Sequence, residues 1–177
     1  MTTKIILLLI LLAPGIALAT EHNLEGEIKE ALLCDKLEFG DTVIIKSPGG
    51  SLRASLFIAG CIRQKNITVK LYYGYSGAAI VTLAANNVCL ILKDSKIGFH
   101  TPYYKDEKGL ITELTPEDTR SHLRLIIHLM VNKLGYKEDE ALTVVGLIAL
   151  NGPKQMGILE GANLSKLLGK RFKGMCE

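Results

Sequence analysis

The chain has 177 residues, 48 % of them hydrophobic, with 21 Lys and Arg against 18 Asp and Glu and a net charge of +3. That is the length of one domain with a real core. The charges are too balanced and too scattered to suggest a nucleic-acid partner.

Residues 1–19 read as an address rather than as part of the fold. Lys4 supplies a thin basic start, Ile5 to Leu12 is unbroken apolar sequence, and Ala17-Leu18-Ala19 matches a cleavage site. A secretory signal cut after Ala19 is predicted, and with it a periplasmic or secreted protein. The apolar run is short for a bilayer and is interrupted by Pro14 and Gly15, so an uncleaved membrane anchor is the lesser alternative. Residues 20–177 then form a single domain. Its four cysteines, Cys34, Cys61, Cys89 and Cys176, contain no CxxC pair, which argues against zinc or a redox motif. In an exported protein they permit two disulfides in any of three pairings, and Cys61 and Cys89 could equally be buried thiols.

Val43-Ile44-Ile45-Lys46 is a β-branched run, with Ser47-Pro48-Gly49-Gly50 expected to stop it. From Ser51 to about Gln64, apolar residues fall at helical spacing. Ile67 to Tyr73 reads as a strand, Gly74 to Gly77 as a tight turn, and Ala78 to Ala85 as a buried helix. Val88 to Leu92 and Lys96 to His100 are further strands, parted by Asp94 and Ser95. This alternation implies βαβ crossovers and a mainly parallel sheet. Lys105 to Gly109 looks like the polar tip of a hairpin or flap. Thr115-Pro116-Glu117-Asp118 is a helix start, with Gly135 as its stop. Further helices are expected within Glu138 to Leu150 and Leu159 to Leu168, making the second half helical.

Ser76 stands where a strand turns into a helix, and His100 ends a later strand. A serine hydroxyl needs a base, and imidazole titrates in the right range to be one. The amide of Gly77 lies at a helix start, where the dipole favours developing negative charge, and Gly50 lets backbone approach a carbonyl. These are the parts of an acyl-transfer site: nucleophile, base and oxyanion donors. His122 and His128 do not share a helix face, so no metal site is expected. Lys46 and Lys70 read as solvated rather than as partners of the serine. Tyr72, Tyr73, Tyr103 and Tyr104 flank the site and can line a substrate groove. Leu123, Ile126, Ile127, Met130 and Leu134 form a broad apolar stripe.

The succession Ile45-Lys46-Ser47-Pro48-Gly49-Gly50-Ser51, then Ser76-Gly77-Ala78, then Gly98-Phe99-His100-Thr101-Pro102 resembles the proteolytic subunit of the Clp protease, and its exported relatives most. The resemblance spans roughly Thr42 to Pro102. It implies an α/β fold of the Clp-protease and crotonase type: a ββα spiral, a mainly parallel sheet and a helical C-terminal half. It also implies a serine endopeptidase working through an acyl-enzyme, with no cofactor. Ser76 would be the nucleophile, His100 the base, and the amides of Gly50 and Gly77 the oxyanion hole. Gly49, Ser51 and Tyr103 would contact substrate, a peptide or unfolded chain. A homo-oligomer is implied, whereas an exported protein has no ATP for an ATPase partner.

Three departures stand out. The family's aspartate has no counterpart at Asn151-Gly152-Pro153-Lys154, where Asn151 could orient the imidazole or simply belong to a turn. Cysteines that flank the serine in exported relatives are replaced by Tyr75 and Ala78. Gly77 adds backbone freedom where an oxyanion amide must be rigid. Besides the peptidase, two other classes fit: a decayed peptide-binding module on the same scaffold and, less well in an exported protein, a crotonase-type enzyme for acyl-CoA.

Overall fold

A computed structural model describes residues 19–177. The expected signal segment lies outside them, apart from Ala19. Seven strands form one mixed sheet, with β1 (Glu21–Ile28), β2 (Thr42–Gly50), β3 (Thr68–Tyr75) and β4 (Asn87–Leu90) adjacent and parallel. Between them run α1 (Leu33–Lys36), α2 (Leu52–Gln64) and α3 (Gly77–Ala84). The first half of β3 pairs with β4, from Thr68 to Leu71. Its second half pairs with β5 (Lys96–Phe99), Tyr75 lying in register with Gly98. Ser95 plugs this fork: its buried hydroxyl donates to the Leu71 carbonyl at 2.6 Å and accepts from the Leu92 amide at 3.0 Å.

β2 corrects the reading of Ser47 to Gly50 as a stop. The strand runs on to Gly50 and stays paired with β1, Glu27 opposite Gly49 and Ile28 opposite Gly50. Pairing with β3 ends at Ser47. Pro48, which has no N–H, is therefore on a strand whose other edge is open, where a proline is tolerated. The predicted α2 forms as expected, Ser51 Oγ accepting the Ala54 amide as N-cap.

Beyond β5 the chain forms a hairpin, β6 (Tyr103–Lys105) and β7 (Ile111–Glu113), with the expected polar tip. α4 (Pro116–His128) starts at Thr115, whose hydroxyl accepts the Asp118 amide, and ends through a π turn at Leu129–Lys133. α5 (Glu138–Leu150) packs against α4. The second half is less purely helical than its sequence suggests. β8 (Gly157–Glu160) runs antiparallel to β5 before α6 (Gly161–Leu168), and β9 (Phe172–Met175) adds to β4.

Disulfides join Cys34 to Cys61 and Cys89 to Cys176, so no free thiol remains. The first ties α1 to α2 and the second ties the residue after β9 to β4. The core runs between the sheet and α2 and α3, and every residue of α3 is buried. Ile126, Met130 and Leu134 of the apolar stripe join it. Two polar knots lock the periphery. Asp41 is buried and accepts from the amides of Thr20 and Glu38, each at 2.8 Å, and contacts His22 Nε2 at 2.9 Å. The Glu38 amide leads in holding this carboxyl below its usual range, against the opposing effect of burial. Tyr136 donates its hydroxyl to the Leu83 carbonyl at 2.9 Å, and burial pushes its pKa up to about 12.

Candidate active site

Ser76 has φ +52° and ψ −121°, a conformation that a residue with a side chain holds only when its surroundings over-determine it. They do. The Ser76 amide donates to the Gly98 carbonyl at 2.7 Å, and the Ser76 carbonyl accepts from Ala79 at 3.1 Å. β2 presses in from one side: a Cβ on Gly49 would lie 2.7 Å from Ser76 Cβ and 2.3 Å from the Tyr75 carbonyl. Gly49 is held there by Ser47, whose buried hydroxyl accepts its amide and donates to the Gly26 carbonyl. A serine on so sharp a strand-to-helix turn presents its hydroxyl outward. Among the described residues no hydrogen bond engages that hydroxyl.

Gly77, the first residue of α3, is not a loose joint. A Cβ there would meet Ser55 Oγ at 2.1 Å and Ser55 Cβ at 2.8 Å. The glycine is required by close packing of α2 on the turn, and burial fixes the backbone that its freedom would otherwise loosen. The same Cβ position is 3.6 Å from the Gly50 carbonyl, so the two proposed oxyanion residues adjoin.

His100 follows β5, one strand over from Ser76. Its Nδ1 lies 2.8 Å from the Thr101 carbonyl, and its ring stacks on Tyr103 with centroids 5.2 Å apart. A carbonyl can only accept, so Nδ1 carries a proton, and in the neutral ring the lone pair is then on Nε2. That is the tautomer a general base needs. The orienting group is thus a backbone oxygen, and Asn151 does not play that part. Its side-chain amide donates to the Leu147 carbonyl at 2.6 Å, while its own carbonyl accepts from the amide and hydroxyl of Thr101. Asn151 supports the segment after the histidine and leaves the ring alone.

Gly49, Gly50, Ser51, Ser76, Gly77, His100 and Tyr103 all line one cavity of about 450 Å³. Its apolar wall comes from Leu52, Ile80, Phe99, Ile126 and Ile148. The sequence places these within expected helices and strands and gives none of them a part in the site. Ile126 was visible only as part of the α4 stripe. Glu27 and Lys105 also reach the cavity, and nothing in their sequence surroundings marks them. Lys46 and Lys70 do not line it; Lys70 pairs with Glu21 at 2.9 Å, and Lys46 lies over the Tyr72 ring. Tyr73 stacks on Tyr75, and Tyr104 is exposed on the hairpin. Neither disulfide flanks the serine. Among the described residues no cluster of His, Cys, Asp and Glu could hold a metal ion.

Compared by sequence, the chain matches no protein-family model and no curated protein. Compared by structure, it is similar to a membrane-bound stomatin-specific protease, 1510-N. A serine-to-alanine mutant of that protein superposes with a TM-score of 0.64, and a lysine-to-alanine mutant in complex with a substrate peptide with 0.66. Identity is 17 % in both, over 89 % of this chain and 79 % and 74 % of theirs. ClpP1 from Listeria monocytogenes superposes with a TM-score of 0.59 at 15 % identity, over 89 % of this chain and 91 % of its own.

The fold is that of the Clp protease. Within the Clp-protease fold, the strand-end glycines of β2, the serine turn after β3 and the histidine after β5 converge on one cavity. The likeness to these proteases is one of fold, with the mainly parallel sheet that the sequence leads one to expect.

Proposed function

We propose that the chain is an exported serine peptidase that cuts peptide bonds through an acyl-enzyme. The observation that carries this reading is the strained Ser76, which shares a cavity with an imidazole whose Nε2 is free. In the first step Ser76 Oγ attacks the scissile carbonyl carbon while Nε2 takes its proton. The oxyanion is met by the amides of Gly77 and Gly50, the former aided by the α3 dipole. The C–N bond then breaks as the imidazolium returns the proton to the leaving amine. Water repeats the sequence to free the acid. The Thr101 carbonyl holds the correct tautomer but brings no negative charge, so it stabilises the imidazolium less than a carboxylate would.

Export is supported by the signal-like residues 1–19 and by two disulfides, which persist in oxidising compartments. A peptide or unfolded segment, entering without an ATPase, is the substrate the cavity suits. A homo-oligomer remains part of this reading. A second reading, a peptide-binding module, is favoured by one observation: among the described residues no carboxylate bonds His100. The test is reaction of the purified protein with a fluorophosphonate probe, beside Ser76→Ala and His100→Ala, and location of the adduct by mass spectrometry. Labelling at Ser76 that depends on His100 establishes the nucleophile. Absence of labelling in folded protein, with Ser76→Ala binding peptides like the wild type, establishes the module.

A further inference from the structure

A second depression adjoins the catalytic cavity. It is a groove of about 880 Å³ bounded by Lys29–Ala31 after β1, the first turns of α2, and His122 of α4. Ser51 and Leu52 line both spaces, so the groove and the cavity adjoin at the start of α2. Beyond Leu52 the groove presents Ala31, Leu56 and Phe57, and Phe57 is 61 % exposed. The polar residues Lys29, Glu30, Arg53 and His122 complete it. An exposed aromatic in a polar-rimmed groove has the composition of a binding surface rather than of a solvated helix face.

The occupant follows from this shared boundary. A polypeptide with its scissile carbonyl at Ser76 must leave the cavity along an extended path, advancing about 3.3 Å per residue. Beside Ser51 and Leu52 the groove is the next space such a path would enter. We propose that the groove is an extended subsite of the same enzyme: the substrate chain passes over Leu52 and rests an apolar or aromatic side chain on Phe57. This rests on the peptidase reading of Ser76, and it makes the protein a cutter of extended chains rather than of dipeptides. Burying one such side chain is worth about tenfold in affinity or more.

The test uses fluorescent peptides lengthened one residue at a time, on either side of a fixed apolar cleavage residue, with leucine or serine at each added place. Their affinity is measured on the Ser76→Ala protein, so the readout does not need turnover. Affinity should rise about tenfold when leucine reaches the groove on one flank, and not with serine. Phe57→Ser should abolish that gain, and Phe57→Leu should keep most of it. A flat length series overturns the proposal, as does a gain that survives Phe57→Ser. A change in assembly mass in Phe57→Ser, with the length series intact, also overturns it and gives the face to a second copy of the chain. Absence of fluorophosphonate labelling alongside length-dependent binding would instead sink the peptidase reading and leave the groove as a peptide site.

Discussion

The two halves of the candidate site are held in different ways. Ser76 sits among backbone hydrogen bonds and close approaches from β2 and β5, while the Ser55 side chain of α2 packs on the next residue, Gly77. His100 rests on one carbonyl and one tyrosine ring at the base of an exposed hairpin. Backbone contacts within a packed core are stiff, because a displaced atom has nowhere to go. A ring held by a stack and one hydrogen bond can tilt. The Ser76 half holds a strained conformation, and the His100 half has room to adjust. Catalytic hydrogen bonds commonly tighten only when substrate is present, which suits that division.

The largest effect that would break this contrast is kinetic. His100→Ala should slow fluorophosphonate labelling of Ser76 on the order of 10²- to 10⁴-fold, with little change in the unfolding midpoint. A comparable loss of stability would show that the histidine holds the fold. Next comes Gly77→Ala, whose new methyl overlaps Ser55. It should cost about 3 kcal/mol in urea unfolding. Adding Ser55→Gly should recover much of this if the overlap is the cause. Asn151→Asp sharpens the base side. Loss of the amide donor to Leu147 should cost about 1 kcal/mol and leave labelling unchanged. Faster labelling would mean that the 151 side chain reaches the imidazole after all.

A further effect, which leaves labelling untouched, is a pH dependence outside the site. The Asp41 carboxyl titrates below its ordinary value of 3.8 in the folded chain. Between that value and the lower folded one, the unfolded chain binds more protons. The stability gained from Asp41 is therefore full at neutral pH and is lost as pH falls through the folded value. Asp41→Asn should remove this acid limb from the stability profile, at a cost of about 1–2 kcal/mol near neutrality.

The contrast also explains what could be read from the sequence. Ser76, Gly77, Gly49, Gly50 and Ser51 were legible because tight backbone packing leaves small residues and turn formers behind it. The helix start at Thr115 was legible from its cap, and that at Ser51 from the change to helical spacing. β1 was not, because an edge strand buried only at Leu24 and Ile28 shows no alternation strong enough to mark it. β9 has four residues, one of them glycine, and is recruited by pairing and a disulfide rather than by pattern. The partner of His100 was hidden for a different reason. A backbone carbonyl belongs to every residue, so a search for a carboxylate at 151 had no means of finding Thr101.

The fork in β3 carries a consequence for how such a chain can change. Because the Ser76 amide bonds to Gly98 and Tyr75 faces Gly98 in register, the imidazole's address is written in the ladder between two strands. The length of chain between serine and histidine does not enter. Lys93 and Asp94, exposed just before the Ser95 plug, can gain residues at little cost, since added loop length is entropically cheap. One residue removed inside Lys96–Phe99 would instead turn the strand's faces over and carry His100 away from Ser76. Insertions and deletions between the two residues should be confined to the turn, and a copy with a shortened β5 should be inert at any temperature at which it folds.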